Sequence, residues 1–285
     1  MNKYNINIAK LADKVANGKW LLSPTAYTTL AKTVDNYIYY KPVTTVKEMK
    51  GDDNSFKVDS ESNNEQGSAV INIVGILVKG ASEEECEEFG LCNIDFISEA
   101  LDEAVNDPTI EDIYLCFSSP GGETTGIDVL GRKIAYINDN IKPVYGWVEF
   151  QASSAAYWLI SQCGIIGMTT SAEVGSIGVY SLIEDCTKQL DKEGIYIEAV
   201  FAGKHKLIGH KFHTLTEEER NILQNDVNTT YEEFKAVITA RRSIKDEFLQ
   251  GLSYSGTIAI TNGFADELHE SFEEFLTKHN TLTNG

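Results

Sequence analysis

"PVYGWVEFQASSAAYWLISQC", residues 143–163, changes character partway along. Residues 143–148 are β-rich and apolar, as in a strand buried within a sheet. A helix is expected to begin near Ser153, with Ala155 and Ala156 followed by Tyr157, Trp158, Leu159 and Ile160. A strand that runs into a helix is one step of an α/β alternation, and the upstream segments repeat that step. "IEDIYLCFS" (110–118) reads as a strand, and the helix after it, over 123–138, has Ile127, Leu130, Ile134 and Ile137 on one face. Before that, "AVINIVGILV" (69–78) reads as one nearly all-apolar strand, covered on both faces. "SEEECEEFG" (82–90) reads as an acidic loop, and a helix around 94–106 aligns Ile94, Ile97, Leu101 and Val105. The alternation predicts a mainly parallel sheet with right-handed crossover helices.

At 285 residues the chain is long for one domain and short for two. Residues 51–67, "GDDNSFKVDSESNNEQG", are polar and acidic and read as a linker. They separate an N-terminal helical appendage (1–50) from the main domain (68–285). Within the appendage, "WLLSPTAYTTLAKTVDNYIYY" offers Ser23 as N-cap and Pro24 as first helical residue. Tyr27, Leu30, Ala31, Val34 and Ile38 then form one apolar face.

A formal charge of −19 argues against nucleic acid and anionic membrane as partners, since both reward positive charge. No stretch has the about 18 unbroken apolar residues of a membrane span. The first twenty residues carry Asn, Asp and Lys where a signal peptide needs an apolar core, so a cytoplasmic location is expected. The five cysteines show no C-x-x-C spacing and read as free thiols.

In open α/β sheets, sites form beyond the carboxyl ends of strands. "SSPGG" (118–122) follows one such end, and its two glycines leave backbone amides able to approach a ligand or a developing oxyanion. The other is the quoted stretch, which places Ser153 or Ser154 in the first turn of a helix. A serine there suits a nucleophile, and equally a plain N-cap. A nucleophile needs a base, and residues 155–204 contain no histidine. The basic loop "GKHKLIGHKFH" (203–213) supplies Lys204, Lys206 and Lys211 beside His205, His210 and His213. Spacing does not choose among them.

Taken together, "SSPGGETTGIDVL", "ASSAAYWLIS", "TTSAEVGSIGVYS", the segment from "GKHKLIGHKFH" to "AVITARR" and "YSGTIAITNGFADEL" resemble the signal-peptide peptidase A family. These are serine–lysine peptidases of the ClpP/crotonase-like fold, and the resemblance covers about residues 68–275. It implies Ser154 as nucleophile, three residues before the tyrosine, and Lys206 as general base. It also implies Ser176, in "GSIG", as the residue that orients the lysine. The oxyanion donors would be the amides of Gly121 or Gly122 and of Ala155. The missing histidine in 155–204 sets the chain apart from the ClpP triad. Gln151 and Ser153 make the helix entrance more polar than the family's usual pattern, and Ser118 replaces a common Asp.

Within the family, Ser-Ala-Ala-Tyr (154–157) and the "WLLSP" segment are similar to phage head-maturation proteases of the lambda protein C type. That likeness implies scaffold or capsid proteins as substrates, a homo-oligomer, no metal and no cofactor, with work done in host cytoplasm or procapsid interior. The alternatives are a bacterial cytosolic peptidase of the same family, a catalytically silent assembly protein, and a crotonase-type enzyme acting on thioesters. The last gives no account of Ser154, Ser176 and Lys206 occurring together.

Overall fold

The structure, a computed structural model, describes residues 15, 19–22, 26–28, 30–31 and 67–280. The expected Ser23 cap, Pro24, Val34, Ile38 and residues 51–66 lie outside the described residues. Residues 26–28, 30 and 31 are helical.

Seven strands form the main sheet: β2 (Gly67–Val74), β5 (Ile110–Ser119), β7 (Val144–Ser153), β8 (Ile165–Met168), β9 (Glu173–Gly175), β10 (Ser253–Ser255) and β11 (Glu267–Leu268). The order runs β10-β9-β7-β5-β2, and β8 pairs with β7 and with β11. Every pairing is parallel except β9 with β10. This is the mainly parallel sheet that the alternation predicts.

β7 is longer than expected and organises the sheet. Its first half pairs with β8 (Tyr145–Val148) and its end pairs with β9 (Gln151–Ser153), while β5 runs along its other edge. The β5 register jumps between Phe117/Val148 and Ser118/Gln151, so Glu149 and Phe150 bulge out of the pairing. Bulges of this kind re-aim a strand end, here immediately before the serines.

The stretch 69–78 is two strands rather than one. At Gly75, φ is +99° and a Cβ would lie 2.4 Å from the carbonyl oxygen of Gly90, so the chain turns where only glycine fits. Beyond it, β3 (Ile76–Val78) enters a second sheet with β1 (Trp20–Leu22), β4 (Leu91–Asn93) and β6 (Gly121–Glu123), in the order β1-β6-β3-β4. Nor is β2 covered on both faces. Ala69, Ile71 and Ile73 are buried on one face, while on the other Val70 is half-covered by the Tyr114, Tyr145, Trp147 and Phe275 cluster and Asn72 and Val74 are exposed.

The acidic stretch 82–90 is a helix, α1 (Glu83–Phe89), where a loop was expected. The hydroxyl of Ser82 accepts from the Glu85 amide and the Glu85 carboxylate accepts from the Ser82 amide, while three glutamates in the first turn complement the dipole. The next helix, α2 (Ile94–Asn106), matches its prediction, with Ile94, Ile97 and Leu101 buried. Helix α3 (Ile127–Asn140) buries all four expected residues but starts later, because Gly121–Glu123 are already committed to β6.

The remaining α-helices among residues 67–280 are α4 (Ala155–Ile160), α5 (Thr187–Glu193), α6 (Glu217–Thr239), α7 (Gly256–Thr261) and α8 (Phe272–Asn280). All six residues of α4 are buried, and Trp158 stacks on Phe234 of α6 with ring centroids 5.0 Å apart. Residues 20–22, placed by the sequence in an appendage, are a strand of the second sheet, with Trp20 and Leu21 fully buried.

Candidate active site

Ser154 stands where β7 hands over to α4. Its φ of 57° and ψ of −119° fall outside the regions open to a residue with a Cβ. Holding such a conformation costs on the order of 1–3 kcal/mol, and neighbours must impose it. Two backbone bonds do so: the Ser154 amide donates to the Gly175 carbonyl at 2.7 Å, and the Trp158 amide donates to the Ser154 carbonyl at 2.9 Å. The side chain makes no capping bond, although Ser154 occupies the N-cap position. Its neighbour Ser153 still belongs to β7, and the Ser153 hydroxyl accepts from Gln151 Nε2 at 3.3 Å.

Ser176 follows the glycine that holds Ser154. Its φ is 52°, and its amide donates to the Leu252 carbonyl at 2.8 Å. Ser154 and Ser176 are the non-glycine residues with positive φ among the described residues.

Gly121 comes against the same turn from β6. With φ at +103°, a Cβ on it would lie 3.0 Å from Ser154 Cβ, 2.9 Å from the Ser153 carbonyl oxygen and 2.1 Å from that of Leu21. The bare backbone is what lets β6 come this close. The Gly121 amide donates to Ser119 Oγ at 3.3 Å, and Ser119 Oγ donates to the Gly75 carbonyl at 2.7 Å. Gly122 is packed on β3, where a Cβ would lie 1.9 Å from the Leu77 carbonyl oxygen. Ala155 opens α4, so its amide is among the first-turn donors that a helix leaves unpaired. Gly121, Ser154, Ala155 and Ser176 are thus gathered at the carboxyl ends of β5, β7 and β9.

Lys206 is not in that group. It lies exposed in the turns after residue 201, and no contact joins it to Ser154. Its neighbours are occupied: Lys204 pairs with Glu218 at 2.6 Å, His205 lies 3.7 Å from the same carboxylate, and His213 meets Glu219 at 2.9 Å. His210 Nδ1 accepts from the Phe212 amide, and Lys211 sits over the Phe212 ring. The Lys206 ammonium has no hydrogen bond or ion pair among the described residues.

One site-supporting residue escaped sequence reasoning. Arg242, almost fully buried, donates from Nη2 to the Cys163 carbonyl at 2.6 Å and from Nε to the Ser161 carbonyl at 3.4 Å, just beyond α4. Its Nη1 pairs with Asp266 at 2.7 Å. The arginine lay in plain view in "TARR", but the two carbonyls it serves are 81 and 79 residues away in sequence. All five cysteines are free thiols, and burial pushes Cys92 and Cys163 up to about 12, which leaves them poor nucleophiles. Among the described residues there is no cluster of His, Cys, Asp and Glu suited to a metal, and no helix long and apolar enough to cross a membrane.

The chain is 28% identical over 237 residues to the capsid assembly protease C of Escherichia phage lambda, covering 82% of this chain and 54% of that one. A putative protease of Methanocaldococcus jannaschii is 32% identical over 65% of this chain and 60% of its own. The head-tail preconnector protein GP5 of Enterobacteria phage P21 is 27% identical over 71% and 40%. The chain therefore spans about half the length of the curated relatives it matches. Among solved structures, an enoyl-CoA hydratase of Shewanella pealeana aligns over 77% of this chain and 71% of its own, with 10% identity and a TM-score of 0.43. A profile of peptidase family S49 matches residues 137–284, which take in Ser154, Ser176, Lys206 and Arg242. The chain belongs to peptidase family S49.

Proposed function

We propose that the protein is a serine endopeptidase in which Ser154 is the nucleophile and Lys206 its base. The observation that carries this reading is the strained turn at Ser154, a serine held at φ 57° with its hydroxyl uncapped and the glycine backbone of β6 against its Cβ. Strain of this kind persists where it serves a site. Neutral Lys206 takes the hydroxyl proton as Ser154 Oγ attacks a peptide carbonyl. The Ala155 amide, with Gly121 or Gly122, receives the oxyanion, and Lys206 returns the proton to the leaving amine. Water then hydrolyses the acyl-enzyme along the same path, and Ser176 orients the lysine.

A lysine acts as a base once burial has taken its charge away. Lys206 is exposed on the single chain, and the strip just before it is exposed as well, with Tyr196 86% and Val200 95% accessible. The reading therefore includes a homo-oligomer whose neighbouring copies cover this strip and press the Lys206 loop onto the site.

The natural substrates are scaffold or capsid proteins of a phage head, a role supported by the lambda and P21 relatives. Wild-type and Ser154→Ala proteins, each incubated with the scaffold and capsid proteins encoded beside it, test the reading through new N-termini read by mass spectrometry. Cleavage by wild type alone, lost in Lys206→Ala and rising with pH, is expected. Equal cleavage by Ser154→Ala would move the nucleophile elsewhere.

A further inference from the structure

β1 sits in an unusual place. It pairs antiparallel with β6, with Leu22 opposite Gly121, Leu21 opposite Gly122 and Trp20 opposite Glu123. The Thr124 amide extends the ladder by donating to the Lys19 carbonyl at 3.3 Å. On its other edge Trp20 exchanges two backbone bonds with Tyr180, at 3.1 and 3.3 Å. A three-residue strand is thus gripped by backbone on both sides, as an extended peptide would be in a slot between two backbone segments, with main-chain bonds to each. Its side chains alternate: Trp20 and Leu22 enter an apolar cluster with Val78, Phe89 and Leu91, while Leu21 enters the main core, which also holds Ala155 and Ala156.

The polarity of the strand matters. It enters opposite Thr124 and ends opposite Gly121, the residue against Ser154, so its carboxyl end faces the serine. A carbonyl under attack carries its acyl-side residues behind it, toward the N-terminus. β1 therefore runs as the acyl half of a bound peptide would.

We propose that Trp20–Leu22 is a built-in pseudo-substrate, which fills the acyl-side groove between β6 and Tyr180 and must leave it before another chain can be bound. The proposal rests on the reading of Ser154 as nucleophile and adds to it an occupied, self-blocked groove that takes an extended apolar peptide.

The test is peptide binding to the full chain carrying Ser154→Ala. The probe is a fluorescent synthetic peptide with the sequence of residues 17–25, NGKWLLSPT. Adding Trp20→Ala and Leu22→Asp weakens the internal strand, and the probe should then bind at least about ten-fold tighter, since apparent affinity scales with the open fraction. Unchanged affinity in a folded variant overturns the proposal. A second measurement needs no change in the strand. With the natural segment in place, the observed binding rate should level off at high probe concentration, limited by departure of β1. A rate that keeps rising in proportion to probe also overturns it. Neither readout needs chemistry at Ser154, so a wild-type chain that cuts nothing counts against the peptidase reading and leaves the occupied groove standing.

Discussion

At Ser154 the backbone takes a conformation that glycine adopts freely and serine does not, so side-chain identity and stability pull in opposite directions there. Two substitutions separate them. Ser154→Gly and Ser154→Ala both remove the hydroxyl, but alanine keeps the strain and glycine releases it. Ser154→Gly is expected to unfold at higher urea than Ser154→Ala, by about 1 kcal/mol, with both inactive. Equal stabilities would mean that the turn is not strained. The junction was legible because a strand ran into small residues and a helix, yet residue type alone left Ser153 and Ser154 as equal candidates. The structure keeps Ser153 in β7 and places Ser154 in the turn, four residues beyond the bulge at Glu149 and Phe150. Lys206 shows the opposite limit. Its residue type and its segment were readable, but where an exposed loop lies depends on what covers it.

At the scale of the element, α4 is six residues long and cannot hold itself together through its own hydrogen bonds. Its carboxyl end relies on Arg242, which serves two carbonyls and Asp266 at once. Arg242→Ala leaves those carbonyls without a donor in a buried place and should cost about 3 kcal/mol, read by urea unfolding. Arg242→Lys should recover only part, because one ammonium cannot span all three partners. A loss below about 1 kcal/mol for the alanine variant would show that α4 is held by packing alone. Periodicity gave the long elements well, as α2 and α3 show. It failed at 82–90, where five glutamates hid a helix whose capping pair, Ser82 with Glu85, was present in the sequence as a start signal. It failed again at 69–78, where a run of apolar residues outweighed the single Gly75 that splits it between two sheets.

For the whole molecule, the main parallel sheet was legible because a helix lies between β2 and β5, between β5 and β7, and between β7 and β8, which returns the chain to the same side. The second sheet was not. Its four strands have three residues each, too few for a period, and β1 joins β6 across about a hundred residues of sequence. How such distant pieces are tied together can be tested through acid. Glu267 lies in β11 and accepts from Lys278 at 2.7 Å, His269 at 2.8 Å and His279 at 3.2 Å, binding α8 to the edge of the sheet. Burial pushes its carboxyl up, but these three donors outweigh it and hold the group down to about 2, from an ordinary 4.5. Hydrogen bonds from Thr216 and His213 do the same for Glu219, and those from Thr187 and Thr214 for Asp185, each to about 2. In each case the fold favours the ionised form. The stabilisation is therefore complete above the ordinary carboxylate range and is lost as pH falls toward about 2. Urea midpoints measured from about pH 6 to about pH 2.5 should decline steadily below about pH 4.5. Glu267→Gln should lower the midpoint at neutral pH and decline less steeply, so that the two curves converge in acid. Parallel curves would show that α8 is anchored by its aromatic contacts, Phe275 above all, and that the carboxylate at the sheet edge contributes nothing to the tie.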